Sequence, residues 1–234
     1  DPLKNRKRTT QNHTFYCWNY DLLLGLREES LDSKPKIAII GSGNISSYHI
    51  AALREVGFDV CSVASRLDST TVEDFARRND IEKVWPSGEE LIYNSASWDG
   101  ILLASSPESI TPLLKKAIST GKPILVEKPV ALNSDNLQCY ENNAPDHVIV
   151  GYNRRHYNTV LEARKFVMDN QYKVRAHMCL PETINKNMVD PFLNVRSNSV
   201  HGIDILRFIF GDLTVYFSEA CIEKDAHFGR HTVL

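Results

Sequence analysis

The chain lacks three things that would have directed its reading elsewhere. It has no long apolar run: stretches such as Ile37 to Ile40 and Ile101 to Ala104 fall far short of the roughly 20 residues a bilayer crossing requires. It has no surplus of one charge, since 27 Lys and Arg stand against 29 Asp and Glu, and no whole-molecule field draws it to nucleic acid or anionic lipid. Its five cysteines, Cys17, Cys61, Cys139, Cys179 and Cys221, form no CxxC and keep no regular spacing. That argues against a disulfide framework and against a metal knuckle, so no metal site is expected. The first residues carry no apolar core of a secretory signal, and a cytoplasmic location is expected.

With 42% hydrophobic and 24% charged residues over 234 positions, the composition is that of a globular chain of one large or two small domains. Residues 1–35 stand apart as an N-terminal extension. They combine a basic start (Lys4, Arg6, Lys7, Arg8), an aromatic cluster (Phe15, Tyr16, Trp18, Tyr20) and a polar stretch ending at Pro35. Such a segment either packs its aromatics on the main domain or on another subunit, which is the reading favoured here, or serves as a binding arm. Four basic residues are few for a nucleic-acid tail.

From Lys36 onward, short β-rich runs alternate with helical stretches. Strands are expected over Lys36–Ile40, Asp59–Ala64, Lys83–Trp85, Gly100–Ala104, Pro123–Val126 and His147–Tyr152. Helices are expected near Ile45–Val56, Thr70–Asn79, Gly88–Tyr93, Pro107–Thr120 and Asp135–Asn142. Runs such as IAII and ILLA are apolar at every position, which suits strands covered on both faces. The fold class that follows is α/β, a doubly wound parallel sheet over residues 36–152. Beyond Tyr152 the rhythm changes. A helix over His156–Asn170, a strand over Lys173–Leu180, a helix over Ser199–Phe210 and a strand over Leu213–Ile222 read as the beginning of an α+β domain, residues 153–234.

The first strand runs into Gly41, Ser42, Gly43, Asn44, Ile45 and Ser46. Gly41 permits a tight turn, Gly43 lets backbone approach a pyrophosphate, and the open amides of the helix start receive its charge. Ser46 holds the third position of GxGxxG, where a small residue allows close helix packing. About 20 residues further on, where an acidic residue would bond the ribose of NAD, the chain has Ser65 and Arg66. A hydroxyl followed by a guanidinium suits a 2′-phosphate, so NADP is favoured over NAD.

Five segments in order carry a resemblance to a known family: KIAIIGSGNISSYHIAAL at Lys36–Leu53, the SSP turn of Ser105, Ser106 and Pro107, GKPILVEKPVAL at Gly121–Leu132, GYNRRH at Gly151–His156, and HGIDILRFIFGD at His201–Asp212. Together they resemble the Gfo/Idh/MocA oxidoreductases, which include glucose-fructose oxidoreductase and inositol dehydrogenase. The resemblance implies a hydride transfer between a nicotinamide and a secondary alcohol or carbonyl of a sugar-like or nucleotide-sugar substrate. It implies that Glu127, Lys128 and Pro129 form the floor of the site, with a cis proline peptide and Lys128 on the reacting oxygen, and that His201 is the acid/base. Ser105, Ser106, Pro107, Glu127, Lys128 and Arg155 are implied at the cofactor, and Tyr152, Asp204, Lys128 and His201 at the substrate.

Several assignments stay open. Arg155 reaches cofactor or substrate, or else fixes the junction between domains. Asp204 contacts substrate or pairs with Arg207 one turn on. His49 faces the cleft mouth, as the resemblance implies, or lies in the core or at the surface. Family members often carry an Asp four residues before the histidine, where this chain has Ser197, which leaves Lys128 and His201 to carry the chemistry. The family's second domain continues with further strands; as written, the sheet would leave an unpaired edge and an apolar face, and a homo-oligomer is expected. The rival from another class is a non-catalytic NAD(P)-binding sensor or interaction protein.

Overall fold

The computed structural model describes residues 33–140, 145–170, 174, 176–178 and 199–214. Its centre is a parallel sheet of β1 (Lys36–Ile40), β2 (Asp59–Ala64), β3 (Lys83–Trp85), β4 (Gly100–Leu103), β5 (Ile124–Val126) and β6 (Val148–Val150). The spatial order is β3-β2-β1-β4-β5-β6 and every neighbouring pair is parallel. The α/β expectation therefore holds. Helices α1 (Asn44–Glu55), α2 (Val72–Arg78), α3 (Gly88–Tyr93) and α4 (Pro107–Ile118) make the crossovers.

The unbroken apolar runs are explained by the pleat, which sends successive side chains to opposite faces. Ile37 and Ile39 of β1, Leu102 of β4 and Leu125 of β5 join Ile50 and Leu53 of α1, Phe58 and Phe75 in one core. Ala38 and Ile40, Ile101 and Leu103, and Ile124 and Val126 join Leu91, Trp98, Ile110 and Leu114 in the other. Among the buried residues of these strands, Ser62 of β2 is the polar exception. Each fully buried Leu or Ile contributes about 1.5–3 kcal/mol, so two cores on one sheet hold the strands firmly.

Beyond the strands, the ladder runs one step into the carboxyl-end loops. Gly41 N–H donates to Ala64 O at 2.8 Å, Ala104 N–H to Ile40 O at 2.7 Å, Glu127 N–H to Leu103 O at 2.8 Å and Gly151 N–H to Val126 O at 2.8 Å. Four loops are thereby set side by side along one edge of the sheet. Between β1 and β4 the strand order reverses, and a crevice opens there at the carboxyl ends.

Differences from the sequence-based expectations lie mostly at element ends. The helix expected over 135–142 is instead a 3₁₀ turn, Ser134–Tyr140. Asn133 Oδ1 accepts the Asp135 N–H at 3.0 Å, an Asx-type bond that competes with α-helical geometry in a segment rich in Asn, Asp and Ser. A second 3₁₀ turn, Asn153–His156, precedes the helix expected from His156, and Tyr157 is extended (φ −67°, ψ 133°). Helix α5 consequently spans Asn158–Asp169. Helix α6 covers Val200–Phe210 and packs against α5 and the Asn153–His156 turn. The extension over residues 1–32, half of the strand expected over 173–180 and all but the first two residues of the strand expected over 213–222 lie outside the described residues. No helix of the described residues is long and apolar enough to cross a membrane.

Candidate active site

The glycine turn departs from β1 under tight steric control. Gly41 has φ +121°, and a Cβ there would lie 2.2 Å from the Ala104 carbonyl oxygen. Only glycine fits both the dihedral and the contact. Gly43 differs: its backbone is extended (φ −81°, ψ 173°), and a Cβ there would meet nothing within 4 Å. That open space lies at the start of α1, whose N-cap has no side-chain hydrogen bond and whose first turn has no acidic residue. An uncapped twelve-residue helix with unobstructed backbone in front of it is a receptor for an anion. Ser46, fully buried, packs under the turn as its small size allows.

Neighbouring loops complete the cradle. Ser42 Oγ donates to Ser65 Oγ at 3.1 Å, joining the ends of β1 and β2. Arg66, next to Ser65, is exposed and only loosely paired with Asp68, at 3.6 Å. On the other side, Ser106 is the N-cap of α4 and Pro107 its first residue. Ser105 Oγ is buried and has no hydrogen-bond partner, a cost tolerated where a ligand completes the bonding. The fold and this turn together define a dinucleotide-binding Rossmann domain.

Across the crevice, the end of β5 brings Glu127, Lys128 and Pro129. The Lys128–Pro129 peptide is cis. Glu127 is 5% exposed, and its Oε1 lies 2.8 Å from Nε2 of the fully buried His49. Its Oε2 accepts the Lys128 N–H at 3.1 Å. Of the placements left open for His49, the core is the one observed.

His201 sits in the first turn of α6 and is 5% exposed. Its Nδ1 is buried without a hydrogen-bond partner, and its ring meets that of Tyr152 edge to face at 6.2 Å between centroids. Burial, then the nearby cations of Lys128 and Arg154, lower its pKa from 6.5 to about 4. The imidazole is therefore neutral at physiological pH, the state needed to accept a proton. Arg154, in the turn after β6, is given no role of its own by the sequence, yet its charge acts on this imidazole. Tyr152 keeps its phenol proton above its ordinary range, through burial first and the Asp204 charge second.

Of the two alternatives left open for Asp204, the pairing with Arg207 does not form. Asp204, 7% exposed, receives two hydrogen bonds from Arg155, one from Nε at 2.7 Å and one from Nη2. Arg207 instead reaches Asp212 at 2.9 Å. The bidentate fork matches guanidinium to carboxylate and raises the Arg155 pKa, chiefly through the Asp204 hydrogen bond. Arg155 also stacks over Tyr152 at 5.3 Å and so ties the turn after β6 to α6. Ser197 lies outside the described residues. Among the described residues no three His, Cys, Asp or Glu side chains gather as a metal site.

Comparison with known proteins agrees with this geometry. Residues 35–150 match the model of the Gfo/Idh/MocA oxidoreductase family, NAD-binding Rossmann fold, and this segment belongs to that family. The chain is 26% identical over 209 residues to inositol 2-dehydrogenase of Ralstonia nicotianae, covering 84% of this chain and 60% of that protein. To myo-inositol 2-dehydrogenase of Thermotoga maritima it is 23% identical over 206 residues, 83% and 61% of the two chains. Among solved structures, myo-inositol dehydrogenase from Lactobacillus casei, in complex with NAD(H) and myo-inositol, superposes with a TM-score of 0.64 at 19% identity, over 82% of this chain and 60% of that one. An oxidoreductase from Agrobacterium radiobacter in complex with NAD⁺, L-tartaric acid and magnesium has the same fold, with a TM-score of 0.64 at 18% identity, over 82% and 59%. This chain spans about three fifths of the length of these relatives.

The two glycines should separate cleanly on mutation. Gly41→Ala is expected to lower the urea midpoint by an amount equivalent to well over about 1 kcal/mol, since dihedral and clash both oppose it. Gly43→Ala is expected to leave the midpoint unchanged and to weaken NADH binding, read as quenching of protein fluorescence. His201 gives a pH signature. Its folded pKa of about 4 lies below the ordinary 6.5, so the unfolded chain takes up the proton first on acidification. Its contribution to stability is full above pH 6.5 and is lost as pH falls toward 4. Thermal melts of His201→Gln should lack that part of the wild-type acid slope.

Proposed function

We propose that this chain is the cofactor-binding and catalytic part of an NAD(P)-dependent oxidoreductase acting on a secondary alcohol of a sugar-like polyol, with an inositol as the first candidate. The observation that carries the reading is the neutral, buried His201 within electrostatic reach of Lys128, at the same end of the sheet as the glycine turn. The names of the relatives suggest the polyol.

The residues fit the dinucleotide. Gly41, Ser42, Gly43, Asn44 and Ile45 would hold the pyrophosphate at the start of α1, with Ser105, Ser106 and Pro107 opposite and Glu127 and Lys128 at the floor. When bound, the nicotinamide supplies two-electron redox chemistry at the substrate carbon. The chain's own part is acid–base and electrostatic. The Lys128 ammonium binds the substrate oxygen and stabilises the negative charge that grows there as the O–H bond breaks. His201 takes that proton on its neutral imidazole and returns it in the reverse direction. Tyr152 lines the substrate side, and its retained proton makes it a donor to a second hydroxyl. Asp204 and Arg155, each engaged by the other, give that wall a fixed shape and contribute to binding through it.

NADP is the favoured cofactor in this reading, because Arg66 stands exposed beside the Ser65 hydroxyl where a ribose 2′-phosphate would lie. The exposed apolar side chains Leu161, Phe166 and Met168 on α5 support association, and a homo-oligomer in the cytoplasm belongs to the same proposal.

Turnover of a panel of inositols and sugars, followed by nicotinamide absorbance, tests the enzyme. Lys128→Ala is expected to lower kcat on the order of 10²–10³-fold while NADPH still binds; binding without turnover on any polyol would favour the sensor reading. Arg66→Ala should weaken NADPH about tenfold, the loss of one charge-assisted contact, with NADH affinity unchanged. Equal losses for the two cofactors would overturn the NADP preference.

A further inference from the structure

The buried contact between His49 and Glu127 joins two parts of the fold that the chain order keeps far apart. His49 lies on α1, whose first turn faces the open space before Gly43. Glu127 lies at the exit of β5, immediately before Lys128. A carboxylate taken out of water is costly unless both oxygens are engaged, and here they are. Oε1 lies 2.8 Å from His49 Nε2, and Oε2 accepts the Lys128 N–H at 3.1 Å. With Glu127 ionised, the proton of this contact belongs on Nε2, which donates.

The backbone at the same point is fixed by the Glu127 N–H bond to Leu103 O at 2.8 Å. The Lys128 peptide is therefore held from two sides, by the β4 ladder and by a carboxylate anchored on α1. A residue at an apolar strand exit has no packing reason to be glutamate. Nor does the buried stripe of α1, with Ser46, Ile50 and Leu53, call for histidine. The two polar residues make sense as a pair.

We propose that His49 is a positioning residue for Lys128. Through the Glu127 carboxylate it ties the helix that receives the dinucleotide phosphates to the turn that carries the amine, so that cofactor loading and lysine placement are coupled. The inference rests on the oxidoreductase reading for its purpose and on the buried contact for its geometry.

The test follows Lys128 directly, without turnover. Full-length protein is treated with a water-soluble acylating ester, and acylation of each lysine is timed by peptide mass spectrometry, with and without saturating NADPH. In the wild type, NADPH should slow acylation of Lys128 by about threefold or more, the low end of coupling between contacting groups. In His49→Ala that slowing should vanish, while Lys116 and Lys122 label as before. His49→Gln, whose amide can still donate to Oε1, should restore it. Glu127→Gln, which keeps the volume of the side chain, serves as the second variant should His49→Ala fail to fold, and it too should uncouple Lys128 from NADPH. The same NADPH-dependent slowing in His49→Ala or Glu127→Gln as in wild type overturns the proposal, as does a loss that His49→Gln fails to restore. A parallel fluorescence titration separates the two claims. If wild type binds neither NADPH nor NADH, the dinucleotide reading falls. Positioning is then judged on Lys128 acylation without cofactor, faster in His49→Ala and restored in His49→Gln if the proposal holds, and unchanged if it does not.

Discussion

The close approach of the Gly41 backbone to the carbonyl of Ala104 governs much of what surrounds it. Because the strand order reverses at β1, the chain leaving β1 must turn beside the chain leaving β4, and the two backbones meet with no space for a Cβ. That contact sets where α1 begins, and with it the direction of its uncapped amides. It also sets the depth at which the buried face of α1 meets β5, and so the reach of His49 to Glu127. A wider turn would move the anion receptor and the lysine-bearing loop together.

Burial on both sides of the sheet supplies the rigidity that this geometry requires. Ile37 and Ile39 face one core while Ala38 and Ile40 face the other, so a one-residue slip of β1 would exchange the two sets and displace Gly41 as well. The carboxyl-end hydrogen bonds of Ala104, Glu127 and Gly151 carry that register into the loops. Position in the site is thus inherited from packing in the core. The part contributed by α5 and α6 is held differently. No residue of α5 is buried, and among the described residues beside it stand the Arg155–Asp204 fork and the Arg164 contact over Phe208.

The sheet and its order of elements were legible because apolar runs, punctuated by glycine and proline, report a strand buried on both faces with little ambiguity. The glycine turn was legible for the same local reason. Long-range polar pairing was not. The choice of Asp204 between Arg207 and Arg155 depends on how the 3₁₀ turn after β6 meets α6, which no local pattern encodes. His49 offered a usable signal: with Ser46, Ile50 and Leu53 it falls on one helical stripe at spacings of three, four and seven, which places it in the core. Nothing in the sequence pairs it with Glu127, 78 residues away. A helix is expected over 135–142 from the alternating pattern, although the Asn, Asp and Ser content of the segment favours side-chain bonds to the local backbone.

Under the proposed function, charge accounting at the crevice selects the group suited to the proton chemistry. Glu127 is committed to His49 and to its neighbour's amide, and Asp204 to the Arg155 fork. Each of these carboxylates already accepts from an internal donor, and a proton placed on either would cost those contacts. Lys128 and Arg154 are cationic, and Tyr152 holds its proton more tightly than a free phenol. His201 differs from all of them, since burial and two nearby cations keep it neutral and its Nδ1 is not engaged. The environment that makes it a weak base in the resting site also defines when it becomes a good one. Growing negative charge on a substrate oxygen beside Lys128 would offset the two cations, and the imidazole's affinity for a proton would rise at the moment one is released.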